Sequence, residues 1–116
     1  MSLAKKLNLK PGVSVRVIGR PPGVDLDDVA VTRSAACPNV LLFAAKAADV
    51  DRGLDRFRAA ALADGIAWIA YPKGGQLGTD LSRDVLWQRL RPEGVTAVRQ
   101  VSIDSVWSAL RFRPGS

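Results

Sequence analysis

The sequence predicts a single α/β domain built on a five-stranded, mostly parallel, Rossmann-like sheet. Two runs, Val40 to Ala45 and Ile66 to Tyr71, are apolar throughout, as strands buried on both faces are. Between them Val50, Leu54, Phe57 and Ala61 recur at spacings of four, three and four, the inward stripe of a helix. Extended and helical patterns alternate along the rest of the chain, in the order strand–(helix)–strand–helix–strand–helix–strand–strand, and that alternation defines the class.

Taken in order, Ser2 to Leu9 holds one or two helical turns, too few to stand without docking. Val13 to Ile18 alternates, with Val13, Val15 and Val17 on one side, and reads as an edge strand. Gly19-Arg20-Pro21-Pro22-Gly23 is a turn. Val24 to Ala36 predicts a short helix through Asp25, Leu26, Val29 and Ala30, with Asp27 and Asp28 favouring its first turn. After the Val40 strand, Asp49 is the expected N-cap of the clearest helix and Gly65 its closing glycine. Pro72 ends the Ile66 strand, having no N–H for a ladder, and Lys73-Gly74-Gly75 follows as a basic loop. Thr79 or Asp80 then caps a helix from about Asp80 to Arg91, with Leu81, Val85 and Leu90 inward. Val95 to Ile103 and Val106 to Arg113 are strands joined at Asp104-Ser105, too tightly for anything but an antiparallel hairpin.

These elements assemble in strand order 1-2-3-5-4, with the fifth strand alone reversed. All crossovers then step one way, and their right-handedness puts the helices on one face. The opposite face, expected to carry Arg16 and Arg111, has only the N-terminal helix to cover it; the two expectations are a homodimer through that open face, or a monomer in which the helix, small residues and arginine stems suffice.

Composition narrows the function. Hydrophobic residues at 47 % exclude a disordered chain. One cysteine, Cys37, excludes an internal disulfide and a cysteine-built metal site, and no metal or cofactor is implied. Histidine is absent, which removes Ser-His and Cys-His nucleophile pairs, so any catalysis falls to Lys, Arg, Asp or Tyr. The net charge of +6 suits an anionic ligand or nucleic acid, although acids are interspersed with the bases. No apolar run approaches a membrane span, and a cytoplasmic protein is expected.

Open α/β sheets bind ligands at the carboxyl ends of their strands. That rim is expected to collect Arg20, Lys46, Lys73, Gly74, Gly75, Thr79, Asp80, Arg83, Asp104 and Trp107. Glycines let backbone N–H groups approach an anion, and a helix N-terminus favours its charge. The loop is no Walker A motif, because Gly-Gly-Gln-Leu-Gly-Thr lacks a lysine before the hydroxyl residue. The leading expectation is a binding or regulatory module for a small anionic ligand or an acidic partner. The alternatives are an enzyme with a Lys/Asp-based site in the same place, and a nucleic-acid-binding accessory protein using arginines of the open face. No nucleic-acid module signature is present.

Two stretches carry a family resemblance. Trp68-Ile69-Ala70-Tyr71-Pro72-Lys73 with Thr79-Asp80-Leu81-Ser82-Arg83-Asp84, and Ile103-Asp104-Ser105-Val106-Trp107-Ser108-Ala109-Leu110-Arg111-Phe112, resemble the signatures of a bacterial family, domain of unknown function three thousand and fifty-two. Lys10-Pro11-Gly12 before the first strand also fits. That resemblance implies no reaction. The layout is also similar to a shortened S-adenosylmethionine-dependent methyltransferase fold. The turn at Gly19 departs from that fold's cofactor loop, since Pro21 and Pro22 remove backbone donors and no acidic residue ends the second strand to hold a ribose.

Overall fold

The computed structural model describes residues 2–115. Its elements are α1 (Leu3–Lys6), β1 (Val15–Ile18), β2 (Val31–Thr32), β3 (Val40–Phe43), α2 (Ala47–Leu62), β4 (Ala67–Pro72), α3 (Arg83–Leu90), β5 (Val95–Ser102) and β6 (Trp107–Pro114). Six strands form one mixed sheet in the order β2-β1-β3-β4-β6-β5, in which β6 runs against both neighbours. Five strands were expected; the sixth is the two-residue β2, which pairs Val15 with Val31 and Arg16 with Thr32. The first strand is therefore an interior one, and the edge is β2.

No helix forms between Val24 and Ala36. The Asp25 carboxylate accepts a hydrogen bond from the Asp27 N–H at 2.9 Å, a local turn that competes with helix, and Val29 N–H closes a further turn on the Leu26 carbonyl. The apolar residues that suggest a helix are used differently. Val24, Leu26 and Val29 join Leu7 and Leu9 over the sheet face that presents Leu41, Phe43, Trp68, Ala70, Trp107 and Ala109, all of them buried. The Trp68 Nε1–H donates to the Leu7 carbonyl at 2.9 Å, tying the end of α1 to the centre of the sheet. The face expected to be open is thus covered by residues 3–13 and 24–29, and the apolar surface invoked for a dimer lies inside the molecule.

The other face carries α2 and α3. Helix α2 begins at Ala47, two residues before the expected cap, because Asp49 acts from the third helical position: its Oδ2 accepts from the Ala45 and Lys46 N–H groups, each at 3.1 Å. Val50, Phe57, Ala60 and Ala61 are buried and Leu54 packs beside them, as the stripe predicts. At the far end Asp64 (φ 60°) takes the left-handed conformation, while Gly65 is required sterically: a Cβ there would lie 2.1 Å from the Pro38 carbonyl oxygen. Helix α3 starts at Arg83, with Ser82 Oγ accepting from the Val85 N–H at 3.2 Å. The later start changes its inward face. Leu86 and Leu90 are buried, whereas Val85 is 40 % exposed and Trp87 is half-buried beneath the Arg91 guanidinium.

Asn39 clips three strands together ahead of β3. Its Nδ2 donates to the Ser14 carbonyl (3.0 Å), its Oδ1 accepts from the Ile66 N–H (2.9 Å), and its own carbonyl accepts from Arg16 N–H (2.9 Å). At the opposite edge, β5 pairs with β6 through eight residues broken by a bulge at Val98, between Ala97 and Arg99.

Candidate functional site

The fully buried strand β4 delivers the chain to the rim at Pro72, paired with Trp107, after which Lys73 N–H closes on the Val106 carbonyl at 2.7 Å. The chain then turns through Gly74 (φ 53°, ψ 36°) and Gly75 (φ 77°, ψ 8°), both left-handed and with nothing near an added Cβ, so backbone conformation alone makes these positions glycine. The loop 73–78 returns through exposed Leu77, and Thr79 Oγ1 accepts from the Leu81 N–H at 3.0 Å before Ser82 starts α3.

Loop, helix start and hairpin enclose a concavity of about 280 Å³ lined by Tyr71, Lys73, Gly74, Gly75, Ser82 and Arg83, with Gln100 and Ser108 behind. The Tyr71 hydroxyl accepts a hydrogen bond from Gln100 Nε2 at 2.8 Å, leaving its own proton free to donate. Burial pushes the phenol's pKa up; the nearby Arg83 charge pulls the other way and the Asp84 carboxylate adds to the rise, so Tyr71 is a neutral donor at physiological pH. Lys73 Nζ donates to Ser102 Oγ at 2.6 Å, which ties the ammonium to the end of β5. Among the described residues neither Lys73 nor Arg83 forms an ion pair.

Of the ten residues expected at the rim, Lys73, Gly74, Gly75 and Arg83 come together here. Arg20, Thr79, Asp80, Asp104 and Trp107 have structural work, and Lys46 stands at the start of α2, outside the concavity. Asp80 caps the wrong helix for the sequence reading: its Oδ1 accepts from Ala47 N–H, the first residue of α2, at 2.9 Å. With Asp49 on the two preceding amides, the α2 N-terminus beside Lys46 is filled by the chain's own carboxylates. Arg20 turns back to its own loop, donating through Nε and NH2 to the Val24 carbonyl. Thr79 holds the approach to α3. Asp104 shapes the hairpin, its Oδ1 accepting from Val106 and Trp107 N–H groups at 2.8 Å each. Trp107 is buried edge-on against Phe43, ring centroids 5.3 Å apart, on the face away from the concavity.

Tyr71, Ser82, Gln100 and Ser108 were not legible as site residues. Tyr71 and Ser108 are cross-strand partners in the β4–β6 ladder, and that pairing is the signal which would have placed Ser108 there. Arg16 lies on the α2 face, opposite to its expected position. Arg111 keeps the expected face and sits in register with Arg99, while Arg113 is held bidentately by Asp64 at 2.9 and 3.0 Å. That guanidinium holds the Asp64 carboxyl below its ordinary range; burial and the Arg113 and Arg99 charges push Arg111 down. Among the described residues no helix is long and apolar enough to cross a membrane, and no group of three or more Cys, Asp or Glu side chains is placed to hold a metal ion.

Set against known proteins, the chain matches no family profile, no curated sequence and no solved structure. The family resemblance therefore rests on the motif residues themselves.

Proposed function

We propose that the protein is a binding module for a small anion, held at the carboxyl end of β4 between Lys73, Arg83 and the Tyr71 hydroxyl. The observation that carries this reading is two cations without carboxylate partners sharing a concavity with a double-glycine turn and a neutral phenol donor. Cations supply charge, and the phenol and serine hydroxyls supply orientation, which is the division of labour in anion recognition. At about 280 Å³ the space falls just below the range of roughly 300–1,000 Å³ for drug-sized ligands, which suits a small anion. Binding is favoured over a Lys/Asp-based reaction because Asp80 is bound to the first turn of α2, outside the concavity.

The test is a thermal-shift screen of nucleotides, phosphorylated metabolites and S-adenosylmethionine. A ligand at a hundred times its Kd adds about 2.7 kcal/mol to stability, a clear rise in Tm. The double variant Lys73→Ala/Arg83→Ala is expected to lose that rise. A rise of equal size in the variant would move the site elsewhere, and a screen without a hit would remove the reading.

A second reading is supported by Arg99, Arg111 and Arg113, which form a basic patch on β5–β6 with one carboxylate, Asp64, among them. If this patch binds nucleic acid, log K against log salt should fall with a slope near −0.9 per phosphate neutralised on duplex DNA, and Arg99→Ala should reduce that slope by about one. Salt-independent or absent binding rejects it.

A further inference from the structure

In a sheet of this kind a crossover helix beside α2 would cover β1. Here residues 33–38 make the crossing as a plain loop, and the space a helix would fill is a cleft between β1 and α2. Its volume is about 220 Å³. Val40 and Ala60 are buried at its apolar base, Ala59 and Ala63 present only methyl groups from α2, and Cys37 and Pro38 close it from the loop. Two arginines, Arg16 from β1 and Arg56 from α2, are the charged residues lining this otherwise apolar cavity.

Within α2, Arg56 is the arginine without a carboxylate among the described residues. Arg52 pairs with Asp49 and Arg58 with Glu93, so the other two arginines of α2 each have a carboxylate. Among the described residues Arg56 and Arg16 have none, and no acidic residue lines the cleft. Arg16 NH1 is buried and meets no hydrogen-bond acceptor, so it marks an uncompensated cation beside the cleft rather than a donor open to it. A buried, unpartnered donor on a cation is costly, and native structures leave few of them without a reason. Two like charges beside methyl groups, with no counter-ion, are satisfied by an anion that also has an apolar body.

We propose that this cleft is a second binding site, for a small organic carboxylate whose apolar part rests on Val40, Ala59 and Ala60 while Arg16 and Arg56 hold its charge. The site is on the β1 side of α2 and shares no residue with the Lys73 concavity, so it stands or falls independently of that proposal. Its volume is below the roughly 300–1,000 Å³ of sites for drug-sized ligands, which limits the occupant to a carboxylate of benzoate or branched-chain size.

Cys37 provides a direct reporter. It is the chain's sole cysteine, it is half-buried in the cleft wall, and its Sγ–H donates to the Ser14 carbonyl at 3.5 Å. Alkylation by N-ethylmaleimide, followed by mass spectrometry at constant ionic strength, is measured with benzoate, benzyl alcohol or inorganic phosphate present. Benzoate is expected to slow the reaction saturably at up to about 10 mM, tenfold above a millimolar Kd. Benzyl alcohol, which lacks the charge, and phosphate, which lacks the apolar body, are expected to protect less. Arg56→Gln, at an exposed helical position, should weaken benzoate protection roughly tenfold or more, as loss of a charge-assisted hydrogen bond does. Arg16→Met should do the same, and Lys73→Ala/Arg83→Ala should leave protection intact. The proposal is overturned by an absence of protection, by equal protection from benzyl alcohol or phosphate, or by full protection in Arg56→Gln.

Discussion

Trp68→Ala is expected to lower stability by about 3–5 kcal/mol, a large share of the 5–15 kcal/mol that holds an ordinary domain folded. Trp68 has no exposed surface and lies at the centre of the sheet, beneath the N-terminal segment. Its removal leaves a cavity that strands on either side cannot collapse into, and it strips the Leu7 carbonyl of its indole donor. Urea denaturation measures the loss as a shift in midpoint. Trp68→Phe, which keeps most of the ring volume but not the N–H, should fall between. A loss under 1 kcal/mol for the alanine variant would mean that residues 3–13 and 24–29 do not seal this face.

Gly65→Ala is the second large effect, and its cause is distance rather than dihedral angle. The new Cβ would sit 2.1 Å from the Pro38 oxygen and 3.1 Å from the Ala60 oxygen, and both neighbours are backbone. The chain entering β3 would have to move, at a cost of roughly 3 kcal/mol, the upper part of the usual range for overpacking. Gly74→Ala provides the contrast. There the space is open and only the positive φ is penalised, so about 1 kcal/mol is expected. Equal losses at the two positions in chemical denaturation would contradict this distinction.

The same contrast between local and distant causes explains what could be read from the sequence. Strands β3 and β4, the α2 stripe and the β5–β6 hairpin each rest on short-range periodicity and turn chemistry, and they are where the residues place them. Alternation in β1 correctly set Arg16 against Val15 and Val17, but alternation cannot say which side meets the helices; that depends on where residues 19–30 go. In the 24–36 segment an Asx turn at Asp25 overrode apolar spacing that fits a helix equally well. Asp80 is a good cap by residue type, yet its partner is Ala47, thirty-three residues earlier, and nothing local announces such a pairing. The candidate site shows the same division. Lys73, Gly74, Gly75 and Arg83 are close in sequence and come together, whereas Gln100 and Ser108 reach them only through the sheet register. A place just after a turn suits Trp107 to the rim or to the core, and its ring buries against Phe43.

The strand order also sets a timetable for synthesis. β6 follows β5 in the chain but lies between β5 and β4 in the sheet. When a ribosome has completed β5, the edge of β4 that will receive the hairpin is still empty, and β5 has no seat of its own on the growing sheet. At roughly 5–20 residues per second the nascent chain passes through this stage in seconds or less. Throughout it, β4 exposes an unpaired ladder and the apolar side chains of a sheet interior, the features that draw chains into wrong partnerships. The hairpin is the remedy, because β5 and β6 are neighbours in sequence and can zip together locally before docking as one unit. The open edge of β4 therefore persists from Pro72 until β6 is in place, and the arrival of β5 does not close it.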